Sequence, residues 1–552
     1  MSMIDARHQD PTRRTFLGAA GAAAAAGVLG AAPAAFAGEG ASSASASADA
    51  AWDGEYDVIV VGAGLAGLTA AATVAVEGNG ATCLLLEKGA TPIGNSRFAY
   101  GSFIVADDVD AAMTYMRALQ DGTECTPEET IRALVESTTD SYTFMVDKLG
   151  APAQDIQYYP GTIPTEEERQ ANPRASSMMP EYPEMPFEGG MGSMRFGGSE
   201  GEGSSGFSNI VDFMVDWVER HPETIDYRTE TPMTDLVADA SGAAIGVVCG
   251  EQRFRAAKGV IMCCGGFESD PNMIYDYLGV KGAFPAAGMG NTGDGHRACA
   301  KLGADMWHMH SISGFWNTTR SLDNTRFLQM GAWDTGMYAK DQGITVAVNG
   351  RRFYMDHDGC TTGGLFPMGS DLTRNWGFRH GHTQWGGHWT ALPMPETSWF
   401  IFDANGLANE AVPSAYTTDP VADGYAYTAD TIEELAEQCG VPAEELAHTV
   451  EVWNQFCEDG EDLAFQRPVS SLNPIVQAPF YAVRCAPHFL NTHGGPVRSP
   501  RGEVLRPDGT PIPGLYSAGE FGSIVGAIYQ AGFDLGEAAG FGRLSARTVL
   551  KN

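Results

Sequence analysis

Short apolar runs bounded by glycine are the clearest pattern in the first part of the chain. The run 58–61 leads into glycines at positions 62, 64 and 67, an alanine-rich stretch follows, and a second apolar run, 83–86, ends at Glu87. Short apolar runs bounded by turn residues are typical of buried strands, and small residues between them favour a helix packed closely on a sheet. The pattern predicts a strand–helix–strand unit and an α/β fold.

Three later segments also combine apolar or small residues with glycine-rich turns, and one region shows no hydrophobic periodicity. "KGVIMCCGGFESD" (258–270) predicts a buried strand with a Gly–Gly turn, and "NTGDGHRACAKLGA" (291–304) predicts a glycine-rich turn that opens a helix. "GLYSAGEFGS" (514–523) predicts a strand, a turn and an acid. Residues 430–460 predict two amphipathic helices. Residues 152–207 are rich in Pro and Gly without hydrophobic periodicity, which predicts a surface excursion, with a partly mobile flap near the cleft as the further interpretation.

The spacing Gly62-x-Gly64-x-x-Gly67 directly after a strand predicts a dinucleotide site. The first glycine permits a tight turn, the second lets the backbone approach a pyrophosphate, and the third lets the helix pack on the strand. The helix N-terminus then holds the negative charge. Glu87, at the end of the second strand, is placed to accept hydrogen bonds from a ribose diol.

Charge and the N-terminal segment restrict the class of protein. The chain has 69 acidic and 34 basic residues, a formal net charge of −35, so we expect no nucleic-acid partner, because phosphate binding needs clustered Lys and Arg. Residues 1–37 contain Arg13-Arg14, a mildly apolar stretch and a small-residue cleavage signal, which predict a twin-arginine export signal; residues 38–50 predict a linker. We expect a mature protein that does not span the membrane and lies in the periplasm or on the outer face of the cell envelope.

The cysteines and histidines do not predict a metal site. Four cysteines lie in apolar runs, where cysteine behaves as a small hydrophobic residue: Cys83, Cys249, Cys263 and Cys264. The ten cysteines of the chain show no spacing typical of haem or iron–sulfur binding. His380, His382 and His388 lie among tryptophans in 376–399. Plain packing, an aromatic wall for a flat substrate, and a metal site remain open for this stretch, and we expect no metal.

Together with the loop "ATPIGNSRFAYGS" (90–102), where an isoalloxazine ring could lie, these motifs resemble the FAD flavoproteins of the fumarate reductase and succinate dehydrogenase type over nearly all of 55–550. The C-terminal segment "GAIYQAGFDLGEAAGFG" (526–542) is similar to that of 3-ketosteroid Δ1-dehydrogenases and related ene-reductases. The resemblance implies an α/β fold in which a Rossmann-like FAD-binding domain carries an inserted α+β capping domain. The implied boundaries are 51–305 for the first part of the FAD-binding domain, 306–485 for the capping domain and 486–552 for the second part.

The glycine motif and the resemblance together give a set of FAD contacts. Some family members attach FAD through a histidine in the first loop, and this loop has none, so non-covalent FAD is expected. The start of the C-terminal helix would stabilise the negative charge of reduced flavin. The expected FAD-binding residues are Gly62, Gly64, Ala66, Gly67, Glu87, Asn95, Ser96, Gly101, Met233, Asp294, Asn491, Glu520, Asp534 and Leu535.

The same resemblance argues against a dicarboxylate substrate. The arginine acid of the fumarate reductases corresponds to Cys360, a second arginine corresponds to Tyr529, and Asn491 stands where some relatives have histidine. The implied role of Tyr529 with Gly532 is to polarise a ketone, as a phenol and a backbone N–H that form an oxyanion hole. Tyr529 stacking on the flavin is the alternative. The candidate proton donors are Tyr338, Tyr354, His310 and His493.

These features predict an exported FAD-dependent ene-reductase that passes hydride to the activated C=C bond of an enone or an α,β-unsaturated acid. The expected partners are a small unsaturated substrate and a separate electron-donor protein, a cytochrome or a quinol-linked protein. The alternatives are a Δ1-type dehydrogenase that runs in the oxidative direction and a flavin carrier without an activity of its own.

Overall fold

The structure is a computed structural model that describes most of the chain after residue 50. The predicted signal 1–37 and linker 38–50 lie outside the described residues. The described residues are 51–99, 101–120, 126–163, 165, 179–180, 182, 185–196, 209–285, 288–323, 340–353, 356, 396–414, 417–524 and 529–552.

Strands and helices are interspersed along the described part of the chain. The strands are β1 Gly54–Val61, β2 Cys83–Leu86, β3 Ser102–Ala106, β4 Ile156–Pro160, β5 Met191–Phe196, β6 Ile225–Arg228, β7 Asp235–Ala238, β8 Ala244–Cys249, β9 Gln252–Met262, β10 Phe284–Pro285, β11 Met306–Trp307, β12 Ile312–Thr319, β13 Ile344–Ala347, β14 Ser398–Phe402, β15 Ala426–Ala429, β16 Phe480–Thr492, β17 Gly495–Pro496, β18 Glu503–Leu505 and β19 Pro511–Ser517. The α-helices are α1 Leu65–Glu77, α2 Asn95–Phe98, α3 Val109–Gln120, α4 Glu128–Thr138, α5 Ser141–Thr143, α6 Asn209–Glu219, α7 Pro271–Leu278, α8 Asp294–Lys301, α9 Ala404–Ala408, α10 Ile432–Cys439, α11 Ala443–Asp459 and α12 Phe533–Lys551.

A mostly parallel sheet forms the centre of the nucleotide-binding part. Strand β1 pairs in parallel with β2 on one side and β9 on the other, so Val60 lies beside Leu85 and Ile261. Strand β6 extends the sheet next to β2, and β19 extends it next to β9, both in parallel. The antiparallel strands β7, β8 and β18 complete it. This arrangement agrees with the predicted α/β fold with a Rossmann-like sheet.

Helices α1 and α12 pack against each other beside this sheet at a point that requires glycine. A Cβ atom on Gly542 would lie 2.5 Å from the backbone oxygen of Ala66, closer than real Cβ atoms approach. The alanine-rich sequence of α1 also allows the two helices to pack closely, because residues 65–74 are all buried and many of them have small side chains. Close packing of this kind brings the start of α12 next to the turn after β1.

A second, mostly antiparallel sheet carries the middle of the chain. Its order is β10–β16–β14–β13, and β12 and β15 also pair with β16. Helices α10 and α11 pack near it around Trp453 and confirm the two helices predicted within 430–460. Strand β16 runs across the predicted boundary at 485/486, and the domain boundaries stay predictions.

The third sheet corrects the expectation of a surface excursion at 152–207. Strand β5 pairs with β3 and with β4, both antiparallel. The buried residues Met191 and Met194 pack into the main core. The Pro-rich and Gly-rich composition hid β4 and β5, because β5 is held by its pairing with β3, and β4 by its pairing with β5.

None of the helices in the described ranges combines the length and the apolar character that a membrane crossing requires.

Candidate active site

Three glycines shape the turn between β1 and α1 for a phosphate group. Gly62 has φ +99°, and a Cβ atom there would lie 2.3 Å from the carbonyl oxygen of Cys263. A Cβ on Gly67 would lie 1.8 Å from the carbonyl oxygen of Gly62, so this glycine lets α1 pack on the strand. A Cβ on Gly64 would come only within 3.7 Å of Ser96 and would otherwise point into open space. That space is available to a ligand at the N-terminus of α1.

The carboxylate of Glu87 is fixed at the end of β2 by backbone donors. Its Oε2 accepts a hydrogen bond from Ala63 N at 3.1 Å, and its Oε1 accepts one from Gly89 N at 2.8 Å. Burial raises the pKa of this carboxyl above its ordinary value. Because two acceptor sites are used by the backbone, the remaining lone pairs have a fixed direction for a ribose diol.

A cavity of about 670 Å³ runs from this turn to the start of α12. Its size lies within the range of ligand pockets, roughly 300–1,000 Å³. Open space beside Gly64 and a fixed acid at Glu87 make the cavity suitable for the dinucleotide part of FAD. The predicted FAD-binding residues that line it are Gly62, Gly64, Ala66, Glu87, Asn95, Ser96, Met233, Asp294, Asn491, Glu520, Asp534 and Leu535, and the predicted catalytic residues that line it are Tyr529 and Gly532.

Two predicted FAD contacts lie elsewhere. Gly67 is covered by the turn that it packs against. Gly101 does not line the cavity, and its backbone oxygen accepts a hydrogen bond from Phe196 N at 3.1 Å. The side chain of Asp294 lines the cavity but also forms an ion pair with Lys88 at 2.8 Å. Gly67 and Gly101 therefore shape the backbone around the cavity. Asp294 lines the cavity, and Lys88 balances the charge of its carboxylate.

Two carboxylates lie next to each other beside the cavity: Glu520 is half-buried and lines it, and Glu268 is buried behind Glu520. The amide nitrogen of Asn95 donates to Glu268 Oε1 at 2.7 Å and to Glu520 Oε1 at 3.1 Å. Asn291 Nδ2 and Thr492 Oγ1 also donate to Glu268, at 2.6 Å and 3.0 Å. Glu268 was not predicted from the sequence; its only signal was an acid two residues after a Gly–Gly turn.

The first turn of α12 faces the cavity and carries a carboxylate of its own. Gly532, with φ +89°, is the N-cap residue, and Asp534 lies in the first turn. Asn491 donates to Asp534, and His493 Nε2 lies 3.3 Å from Asp534 Oδ1. Ser311 Oγ lies 3.3 Å from the other ring nitrogen of His493. The helix start thus combines a positive dipole end with an acid held by an amide and an imidazole.

Tyr529 lies at the mouth of this helix with its ring buried. The ring stacks on that of His493, with centroids 5.3 Å apart and planes 29° from parallel. Tyr182 Oη donates to the backbone oxygen of Tyr529 at 2.9 Å. The ring is therefore positioned through its neighbours and its backbone, and only 6% of the residue is exposed.

The comparisons with known proteins agree with this geometry. The family model for an FAD binding domain matches residues 57–532. The 3-oxosteroid 1-dehydrogenase of Mycolicibacterium smegmatis is 26% identical, covering 90% of this chain and 97% of the relative. The 4-oxocyclohexanecarboxylate 2-dehydrogenase of Sinomonas cyclohexanicum is 27% identical, covering 90% and 92%. A flavocytochrome c3 fumarate reductase in its open conformation has a similar fold, with a TM-score of 0.62 at 22% identity over 91% of this chain and 79% of that chain.

The chain belongs to this FAD-binding family. The relatives confirm the predicted resemblance to fumarate reductases and 3-ketosteroid dehydrogenases, FAD as the cofactor, and an FAD-dependent oxidoreductase that acts on CH–CH bonds. Non-covalent attachment of FAD stays a prediction.

Some of the predicted catalytic residues line the cavity and others do not. Tyr529 and Gly532 line the cavity, whereas His493 is buried behind Tyr529 and does not. His310 is exposed and does not line the cavity. Outside the described residues lie the candidate proton donors Tyr338 and Tyr354, the replaced family position Cys360, and the three histidines of the stretch 376–399, His380, His382 and His388.

The small sheet of β3, β4 and β5 adds residues to the cavity that the sequence did not indicate. Tyr159, Ser193 and Arg195 line it from β4 and β5. Arg195 lies opposite Ser102 on β3, and Ser102 lies close to Gly532. The sequence did not predict these cavity residues because they lie in the region 152–207, which shows no hydrophobic periodicity.

Proposed function

We propose that this enzyme reduces the C=C bond of an enone or an α,β-unsaturated acid. FAD in the cavity supplies the hydride, and a separate cytochrome or quinol-linked protein supplies the electrons. The protein is exported by the twin-arginine route and acts in the periplasm or on the outer face of the cell envelope. The proposal rests on the family and on the residues that meet at the start of α12.

The observation that carries the proposal is the position of Tyr529 and Gly532. Both line the cavity that contains the predicted FAD-binding residues, and Gly532 caps α12 at its N-terminus. A phenol and a backbone N–H that converge on a carbonyl oxygen stabilise the enolate that forms when hydride adds β to a ketone. A donor of this kind typically contributes about 3 kcal/mol to the transition state.

The names of the relatives favour a substrate with a ketone. Both similar dehydrogenases are named for oxo compounds. The arginines that fumarate reductases use are replaced in this sequence, so fumarate is not the proposed substrate. The names also favour a second candidate, the reverse reaction, in which a ketone is desaturated and FAD is reduced.

The test reduces the purified FAD-loaded protein with a viologen dye and follows dye oxidation on addition of unsaturated compounds. The panel pairs cyclic enones and α,β-unsaturated acids with their saturated counterparts, and it includes fumarate. We expect turnover of an enone or an unsaturated acid well above the rate with fumarate. Comparable turnover of fumarate, or no turnover with any activated C=C bond, would contradict the proposal.

The direction and the location are tested separately. If the second candidate is right, saturated cyclic ketones will reduce an artificial electron acceptor in the presence of the enzyme, faster than the corresponding enones reoxidise the dye. Replacement of Arg13-Arg14 by Lys-Lys is expected to keep the protein in the cytoplasm, as seen by cell fractionation. An unchanged distribution would contradict export by this route.

A further inference from the structure

The carboxylates of Glu268 and Glu520 are held together by one side chain in a fixed orientation. The amide oxygen of Asn95 accepts a hydrogen bond from Gly288 N at 2.9 Å, so its nitrogen must face the two acids. That nitrogen donates at 2.7 Å to Glu268 and at 3.1 and 3.2 Å to the two oxygens of Glu520. An amide nitrogen has two hydrogens, and each carboxylate receives one.

No cation compensates these two acids in the described part of the chain. The other donors to Glu268 are the amide of Asn291 and the hydroxyl of Thr492, both neutral. A further charge that acts on the pair is negative: Asp534 on α12 raises the pKa of Glu520, after burial and Glu268 itself. Two carboxylates that share one site without a cation do not both ionise, because each opposes the charge of the other.

Another buried acid near the site, Glu537, shows the contrast. Glu537 forms an ion pair with Arg498 at 2.9 Å and accepts hydrogen bonds from Ser523 Oγ at 2.6 Å and Ile524 N at 3.1 Å. Its charge is therefore balanced inside the protein. Glu268 and Glu520 have hydrogen bonds but no such balance, so a bound proton must take the place of the cation.

The pair also lies next to the cofactor cavity. Glu520 and Asn95 line the cavity, and Glu268 lies behind them with 1% of its surface exposed. Reduced FAD carries an additional negative charge, and in a buried site this charge favours protonation of a nearby carboxylate. Burial, the largest cause, raises the pKa of Glu268 to about 6, so a further rise when FAD is reduced brings proton uptake to neutral pH.

We propose that Glu268 and Glu520 store protons as one unit: the pair holds one proton when FAD is oxidised and takes up a second when FAD is reduced. FAD accepts two electrons and one proton from the donor and the solvent, and the ionised carboxylate of the pair accepts one further proton. The holoenzyme thus takes up two protons for two electrons. Glu268 acts through Glu520 and is a positioning residue. The inference concerns FAD reduction and does not depend on the identity of the substrate.

The test counts protons during reduction of the holoenzyme by a reduced viologen dye. In weakly buffered solution with a pH indicator at pH 7, we expect the wild type to take up close to two protons per FAD and Glu268→Gln to take up close to one. The matched control is Glu537→Gln, which removes a buried acid that has its own cation and is expected to leave the count at two. The midpoint potential should fall by about 59 mV per pH unit in the wild type and by about 30 mV in Glu268→Gln.

A second measurement begins with the wild type, so its main result does not depend on whether a variant folds. The infrared difference spectrum of the wild type, reduced minus oxidised, should gain a carboxyl C=O band that shifts in deuterated water. Glu520→Gln should lose this band. Uptake of a single proton by the wild type, the absence of the band, or a Glu268→Gln count equal to that of the wild type would overturn the proposal.

Discussion

Replacement of Tyr529 by phenylalanine isolates the hydroxyl group that we propose to polarise the substrate. The ring is buried and stacks on His493, and both features survive the substitution. Tyr182 bonds to the backbone oxygen of residue 529, so this contact survives as well. We expect Tyr529→Phe to bind FAD and to keep the absorption maximum of the oxidised flavin.

The expected loss lies in turnover. One oxyanion donor contributes about 3 kcal/mol to the transition state, and each 1.36 kcal/mol corresponds to a factor of ten in rate, so turnover should fall by ~100-fold or more. The loss should appear in both kcat and kcat/KM, because the hydroxyl would act mainly on the enolate and less on the bound ketone. Steady-state kinetics with the best enone from the panel measures both.

Tyr115→Phe is the matched control. Tyr115 is also a buried tyrosine, and its hydroxyl donates to Gln530 Oε1 at 2.6 Å, next to Tyr529 in the chain, but it does not line the cavity. We expect a stability cost of about 1 kcal/mol and turnover close to that of the wild type. Wild-type turnover in Tyr529→Phe would show that the tyrosine only packs and that the carbonyl is held elsewhere.

Three further predictions follow from single features. Gly62→Ala should be purified without FAD because its Cβ would lie 2.3 Å from the oxygen of Cys263, whereas Gly80→Ala, at φ +91° with open space around it, should keep FAD; equal FAD content would refute the reasoning. Acid precipitation should release all flavin as FAD; flavin that stays with the protein, or FMN in the supernatant, would contradict non-covalent FAD. Burial lowers the pKa of His296 to about 4, while its Nε2 lies 2.8 Å from the backbone oxygen of Gly494. In the unfolded chain this imidazole binds a proton below about pH 6.5, whereas in the folded protein it does so only near pH 4. The free energy of unfolding should therefore be highest above about pH 6.5 and fall by up to about 3 kcal/mol towards pH 4. Thermal unfolding of His296→Met should depend less on pH, and an unchanged pH dependence would refute the assignment.

The nucleotide end could be predicted because its requirements are local. The turn after β1 needs glycine at Gly62 for a positive φ, at Gly64 for an approaching ligand and at Gly67 for close packing. Each requirement concerns a few neighbouring residues, so the spacing alone predicts the strand, the helix and the acid at Glu87. The two helices α10 and α11 were predictable for the same reason, since amphipathic periodicity is a property of one segment.

The remaining site was decided by contacts between segments far apart in the chain. Asn95 and Glu268 are 173 residues apart, and Asn95 and Glu520 are 425 apart, yet one amide joins all three. A single acid after a turn is not part of a periodic pattern, and its distance along the sequence from Asn95 and Glu520 follows no known spacing. The sequence therefore does not indicate the pair. The same holds for Arg195, which lines the cavity because β5 pairs with β3.

The sequence by itself determined the strand–helix–strand unit, the glycine turn, the acid for the ribose and the presence of Tyr529 before the last helix. Only the tertiary structure decided which side chains share the cavity, that β4 and β5 lie within 152–207, and that Glu268 and Glu520 meet without a cation among the described residues. The physical reason is that backbone conformation and periodic burial depend on near neighbours, whereas charge balance and hydrogen bonding inside a core depend on how distant segments pack.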